Sequence, residues 1–318
     1  FQTEMDLFHS EEFDPKLRMQ ILDKCTKRFK FQELVLVLGR RSGKSFLVST
    51  IALYELYRLI CMGHPQARYG LMEFDSIYLL NVARNEEQAK KAIFCEKPMD
   101  LSLSVVQEVV SLVESSKVHF MVAFNRRFDP SFLKVKEKIT NDTIGTPHLI
   151  IITSRDPGPP PLEYIKTSGG LFLDMAIHDF DMACYLMDDE VESVYASATV
   201  FGAPAIEELG DIDTAITTLT FKKGGMACIN NSRNSSYGYD QRIEVFGSKG
   251  MTGAKNKTLD QHYSADESGF YTPVLQDFFL ERYADSYRME LIAFIKSLMQ
   301  QTSSPISASE GLKSMLIS

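Results

Sequence analysis

Short apolar runs of strand length alternate, through the first 140 or so residues, with longer stretches in which apolar residues recur every three or four positions. Glu33 to Leu38, Ser76 to Ala83 and Val118 to Phe124 read as strands, and so does the run opening at Ile93. Lys44 to Cys61, Leu103 to Ser115 and the segment from Pro130 read as helices. Strands that alternate with helices imply a mostly parallel sheet with helices on its faces. After Thr146 the period changes. A strand, "HLIIITS", runs into the turn "RDPGPPP", and one amphipathic helix is predicted over Leu171 to Met187. Alternating strands follow at Glu192 to Phe201, Thr214 to Phe221, Gly225 to Ser232 and Gln241 to Phe246, with glycine-rich turns between them, and Ser286 to Met299 closes as a helix. Short hairpin connections predict a mostly antiparallel sheet with one face open. The fold class is therefore α/β: a parallel, Rossmann-like or P-loop-like first part, then an α+β part built on an open-faced sheet.

Composition supports this reading. The 318 residues, 44% hydrophobic and 24% charged, suffice for two domains with cores of their own. A formal net charge of −8 gives no global attraction to nucleic acid, and the basic run Lys24 to Lys30 reads as a solvated helix face. The five cysteines form no CxxC pair, so neither a metal site nor a disulfide framework is predicted, and a reducing cytoplasm is expected. Apolar runs stay short of the roughly 18 residues that a membrane span needs. Starting at Phe1 and ending at Ser318 within a helical pattern, the chain is expected to be a fragment.

"LVLVLGRRSGKS", Leu34 to Ser45, runs an apolar strand into a glycine-bracketed turn. Gly39 and Gly43 let backbone N–H groups approach an anion, Lys44 suits outer phosphates, and Ser45 offers a hydroxyl to Mg²⁺. Leu38 stands where the full phosphate-loop pattern has its first glycine, so this is a variant form. With Arg40 and Arg41 inside the loop and Gln88–Ala89 after a later strand, Phe1 to Phe94 resembles the ATPase domain of tailed-phage terminase large subunits, which implies ATP with Mg²⁺ as ligand. A motor ATPase also needs an apolar strand ending in Asp-Glu. "CYLMDDE", Cys184 to Glu190, ends a helix instead and reads as a capping or surface acidic cluster.

A different chemistry begins at "FCEKPMDLS". Pro98 fixes the exit of the chain after a strand and would hold Lys97 near the sheet's carboxyl edge. In "GGLFLDMAIHDFDMACYL", Asp174 and His178 are four apart and would share one helix face. Such a pair suits alcohol oxidation, with His178 taking the hydroxyl proton while Asp174 holds the imidazole or binds a neighbouring hydroxyl. Read in isolation, such a pair is more often a surface or capping one. Asp179 and Asp181 lie on other faces and read as solvent-facing or structural groups.

Together with "VAFNRRFDPSF" and "YGYDQRIEVFGSKG", these segments resemble, in family order from about Ile93 onward, the Gfo/Idh/MocA family of NAD(P)-dependent sugar and polyol dehydrogenases. The resemblance implies hydride transfer between an inositol-like polyol and NAD or NADP. It makes Lys97, Asp174 and His178 catalytic, with Glu96 and Pro98 completing the cofactor-side motif of Lys97. It assigns polyol hydroxyls to Arg127, Asp156 and either Tyr237 or Tyr239. The open sheet face needs cover, which makes a homo-oligomer the expectation.

A complete member of that family opens with GxGxxG. This sequence has none; "GSKGMTG" is wrongly spaced and lies between predicted strands. The expected organisation is a chimera joined near Lys90 to Phe94: residues 1–92 a terminase-like P-loop segment, 93–125 the remaining Rossmann-type strands and helix, and 126–318 the substrate and oligomerisation domain. NAD would then bind weakly, and ATP binding at the phosphate loop is the alternative function.

Overall fold

A computed structural model of the chain describes residues 92–116 and 118–318, all within one compact unit. Gly39, Gly43, Lys44 and Ser45, and the strands and helices predicted before residue 92, lie outside the described residues.

Two parallel strands open the described part. Strand β1 (Ala92–Glu96) pairs with β2 (His119–Ala123), with Ala92 opposite His119 and Glu96 opposite Ala123. Helix α1 (Leu103–Ser115) is the crossover between them. Val106 and Val110, one turn apart, are its buried residues, and they pack with Phe120, Val122 and Phe124. The 3-10 turn Asn125–Phe128 then leads into α2 (Pro130–Thr140), with Pro130 at its first position. The side chain of Asp129 caps that helix by accepting from Ser131 N at 2.9 Å and Phe132 N at 3.2 Å.

Strand β3 (Pro147–Arg155) enters a six-stranded sheet with β4 (Val191–Thr199), β5 (Thr214–Phe221), β6 (Met226–Ser232), β7 (Asp240–Gly247) and β8 (Gly250–Ala254). The order is β4-β5-β6-β3-β7-β8, and every neighbouring pair is antiparallel except β3 with β6. Period-two burial decides the faces. Ala215, Leu219, Ile229, Ile243 and Val245 join one core with Phe132 and Val135 of α2, whereas Ile216, Met226, Phe246 and Met251 stay exposed on the other face. The open face predicted from alternation is present.

Between β3 and β4 come α3 (Leu162–Ser168), a π-helical turn (Phe172–Ala176) and α4 (Ile177–Met187). The helix predicted over Leu171 to Met187 is present without a break, its Phe172–Ala176 turn widened to π. Gly169 and Gly170, at φ of +87° and +82°, bend the chain out of α3, and Asp211 Oδ1 accepts from Leu171 N at 3.0 Å, fixing where the next helix begins. Widening to i→i+5 bonds often marks a functional site. The acidic cluster after α4 is a turn: Asp188 adopts a left-handed C-cap, Asp189 accepts from Lys223 N, and Glu190 pairs with Lys222.

The far end contributes α5 (Pro204–Glu207), the hairpin β9 (Ser264–Asp266) and β10 (Gly269–Tyr271), α6 (Phe279–Arg282), α7 (Ala284–Gln300) and α8 (Ala308–Ile317). Helix α8 opens on a capping box between Ser307 and Glu310 and packs against α1 and α4. Gly311 permits that approach, since a Cβ there would lie 2.9 Å from Met99 Cε and 3.0 Å from Val122 Cγ2.

Candidate active site

The parallel register of β3 and β6 brings their carboxyl ends together, Arg155 opposite Ser232. Asp156 N donates to Ser232 O at 2.8 Å and Ser235 N donates to Asp156 O at 2.8 Å, so Asp156 and Arg233 leave the sheet side by side. The π turn brings Asp174 to the same place, and the end of β1 brings Lys97, whose peptide bond to Pro98 is cis.

Lys97 Nζ donates to the backbone carbonyl of Asp174 at 2.6 Å and lies 3.7 Å from Asp174 Oδ1. The same carboxylate accepts from Tyr164 Oη at 2.7 Å through Oδ1 and from Arg233 Nη2 at 3.4 Å through Oδ2. Arg233 is only 1% exposed and sits 3.7 Å from Asp211 Oδ2. Both oxygens of Asp174 are therefore engaged by groups other than the histidine.

His178 stands in the first turn of α4, with the ring of Phe124 edge-on at 6.0 Å. Its Nδ1 is buried and has no hydrogen-bond partner. The expectation that Asp174 holds the imidazole is corrected here: the wider π turn breaks the four-residue alignment of a regular helix, and the Asp174 carboxylate turns to Tyr164 and Arg233. Burial, and after it the positive charges of Lys97 and Arg126, hold the imidazole well below its ordinary pKa. The ring is neutral at neutral pH and can accept a proton. Burial drives the Asp156 carboxyl up to about 7, against the pull of Arg233 and Arg126 and helped by Asp174 and Asp179.

Beneath this group lies a buried network. Arg126 pairs with Asp179, which also accepts from Asn231 Nδ2 at 2.7 Å, and the Arg126 guanidinium lies 5.5 Å from the Tyr283 ring. Sequence reasoning passed over Arg126 in favour of its neighbour. The structure does not bring Arg127 to the site: it forms a two-pronged pair with Asp181 at 2.7 and 2.8 Å, reaches Glu310 at 2.6 Å and stacks on Tyr185. In the 3-10 turn successive side chains diverge, so one arginine faces the sheet and the next faces α4 and α8. Tyr237 is also elsewhere: its hydroxyl accepts from Arg155 Nη1 at 2.9 Å and donates to Asp240 Oδ2 at 2.6 Å on the open face of the sheet. Tyr239, the alternative, is buried beside Tyr283 and feels the charges of Arg126 and Asp156. Glu96 is exposed at the end of β1. Among the described residues no group of three or more His, Cys, Asp or Glu side chains could hold a metal.

Whether a nicotinamide dinucleotide fits can be tested at its two ends. Lys97 and Pro98 stand at the carboxyl edge of the parallel pair, where open α/β sheets bind nucleotides, and the buried orphan Nδ1 of His178 is close by, so the nicotinamide end fits. The pyrophosphate end has no GxGxxG turn anywhere in the sequence.

Comparison with known proteins decides the family. A model described as the GFO/IDH/MocA C-terminal domain matches residues 132–252. Myo-inositol 2-dehydrogenase of Thermotoga maritima is 49% identical over 230 residues, 72% of this chain and 69% of that protein. The chain belongs to the Gfo/Idh/MocA family. Inositol 2-dehydrogenase of Rhizobium meliloti is 44% identical over 230 residues, 72% of this chain and 70% of that one. Among solved structures, scyllo-inositol dehydrogenase from Lactobacillus casei with bound NAD(H) and scyllo-inositol is 25% identical with a TM-score of 0.67, covering 87% of this chain and 92% of that one. Against the curated Gfo/Idh/MocA relatives the chain spans about two thirds of their length. A second model, the N-terminal P-loop domain of uncharacterized protein MJ0330, matches residues 16–121, and so runs past the predicted join near residue 92 and through β1, α1 and most of β2.

Proposed function

We propose that this chain is an oxidoreductase that removes hydride from a hydroxyl-bearing carbon of an inositol-like polyol and passes it to NAD or NADP. The observation that carries this reading is the convergence of Lys97, Asp174 and a neutral His178, whose Nδ1 has no hydrogen-bond partner among the described residues, at the carboxyl edge of a parallel strand pair. His178 accepts the hydroxyl proton as the carbon–oxygen double bond forms. The Lys97 ammonium, anchored on the Asp174 carbonyl, donates to the substrate oxygen as charge develops on it. In this reading Asp156 and Tyr239 bind neighbouring hydroxyls. When bound, the nicotinamide supplies the hydride acceptor, with Lys97 and Pro98 at its reactive end. The relatives named for myo- and scyllo-inositol, one with NAD(H) bound, support this substrate class and cofactor.

Lacking a dinucleotide turn, the chain is expected to bind NAD weakly. The experiment is polyol-dependent NAD reduction by the purified protein, with Lys97→Ala and His178→Gln as controls. Turnover lost in both variants supports the reading, and turnover that survives Lys97→Ala overturns it. The exposed outer sheet face supports a homo-oligomer, and the free Cys95, Cys184 and Cys228 support a reducing compartment.

The P-loop match to residues 16–121 favours one further reading, an ATP-binding phosphate loop at Gly39, Gly43, Lys44 and Ser45, with the terminase-like ATPase as its narrower form. Thermal stabilisation by ATP with Mg²⁺ that disappears in Lys44→Ala would support it; identical stabilisation of both proteins would exclude it.

A further inference from the structure

The Asp174 carboxylate is occupied from two sides by side chains that no motif singled out. Tyr164 reaches it from α3, ten residues back in sequence, and Arg233 reaches it from beyond the end of β6. Tyr164 donates its backbone N–H to Pro161 O at 2.9 Å. Arg233 donates its backbone N–H to Asp213 O at 2.8 Å and lies near Asp211, whose other oxygen caps Leu171. The contact to Lys97 is made by the Asp174 backbone carbonyl rather than by the carboxylate. Among the described residues neither carboxylate oxygen bonds the Nδ1 of His178.

We propose that Tyr164 and Arg233 are positioning residues that clamp Asp174, so that it presents its carbonyl and one carboxylate edge to Lys97 while the Nδ1 of His178 receives no bond from it. This rests on the polyol-oxidation reading for its kinetic consequence but not for its geometry. A carboxylate held by a phenol and a guanidinium fixes the Lys97 ammonium between a carbonyl at hydrogen-bond distance and a negative charge just beyond it, which sets where a substrate oxygen can lie. Asp174 itself needs no second rotamer during the reaction. The phenol of Tyr164 is pushed above its ordinary value by burial and by the charge and hydrogen bond of Asp174, as a donor to a carboxylate should be.

The test has two arms on the full chain. In the first, 3,5-difluorotyrosine is incorporated at position 164, and its ionisation is followed by ¹⁹F NMR with Asp174 intact and with Asp174→Asn. The midpoint should fall by about one pH unit or more on loss of the carboxylate, since a hydrogen bond to a charged group is worth that much. An unchanged midpoint overturns the clamp whether or not the protein turns over. In the second, Tyr164→Phe should lower kcat roughly tenfold or more with KM for the polyol held within about twofold, because what is lost is alignment at the reacting bond. Arg233→Lys should retain more kcat than Arg233→Met. A rise in KM at constant kcat in Tyr164→Phe would make the tyrosine a binding group and refute the assignment. Absence of turnover in the unaltered protein would refute the oxidoreductase reading alone, leaving the fluorine titration to decide the clamp.

Discussion

Removing Arg127 separates a structural role from a binding role. Its guanidinium side chain is 8% exposed and its partner Asp181 only 1%, while Glu310 is 36% exposed and counts for less. Arg127→Met leaves the Asp181 carboxylate buried with only a 3.5 Å contact from Ser314 Oγ. Breaking a buried pair from one side costs about 3–5 kcal/mol, and loss of the stack on Tyr185 adds up to about 1 kcal/mol. For a body of this size that corresponds to a fall in Tm of roughly 10 °C. Urea unfolding followed by circular dichroism measures it. Burial already pushes Asp181 upward and Arg127 opposes that push, so without the arginine the folded-state pKa climbs further. A carboxyl whose folded pKa exceeds the unfolded value near 3.9 holds a proton in the native state that the unfolded chain has released, so stability falls as pH rises above about 4. The deficit of the variant should accordingly be smallest near pH 4 and grow toward neutrality. Arg127→Met with Asp181→Leu should regain most of the loss, because the stranded charge has gone. A destabilisation below about 1 kcal/mol, together with a raised KM for the polyol, would show that the side chain serves the substrate instead.

Three further outcomes follow from the site and its supports. His178 resists protonation in the fold, so the unfolded chain gains a proton below about pH 6.5 that the native one does not, and stability should drop toward acid by up to about 1.4 kcal/mol per pH unit; His178→Gln should flatten that slope in urea midpoints taken between pH 5 and 6.5. Asp156, at about 7 in the fold, keeps a proton the unfolded chain has lost, so it withdraws stability as pH rises from about 4 through 7; Asp156→Asn should remove this decline, and an unchanged pH profile would refute it. Gly170→Ala should destabilise by about 1–2 kcal/mol from its positive φ and by more from a Cβ placed 2.8 Å from Asp211 Oδ1, whereas Gly210→Ala, at φ +74° in open space, should show the backbone cost alone.

The chain shows where periodicity carries information and where it stops. Helix α1 and strand β5 were legible to the residue, because Val106 with Val110 and Ala215 with Leu219 mark one buried face in each. Lys97, Asp174 and His178 were legible as candidates through the family resemblance, since a lysine before proline and an acid–histidine pair on a helix are, taken alone, more often surface features. Their geometry was not. A π turn is a hydrogen-bond register, and nothing in "FLDMA" announces it; the helix start just before it is held by Asp211, which lies 40 residues from Leu171. Arg126 and Arg127 are identical in type and adjacent, so sequence could not say which one faces the sheet. The turn geometry chose, giving Asp179 to one and Asp181 to the other.

The same limit explains how two nucleotide-binding grammars meet in one chain. A parallel strand–helix–strand unit is common to P-loop and Rossmann sheets, and both put their ligand at the carboxyl edge of the strands. β1, α1 and β2 form such a unit, and a P-loop model matches into it as far as residue 121, while Lys97 follows directly after β1. Among the described residues, the hydrogen bonding of the unit, the core around Val106 and Phe120, and the anchoring of Lys97 are all made from Ala92 onward. The element that differs between the two grammars is the first turn: a glycine fingerprint shaped for a pyrophosphate in one, a Gly-Lys-Ser loop shaped for a triphosphate tail in the other. Under the proposed function, the ratio of kcat to NAD affinity, rather than either quantity alone, measures how far the candidate site works without a glycine fingerprint.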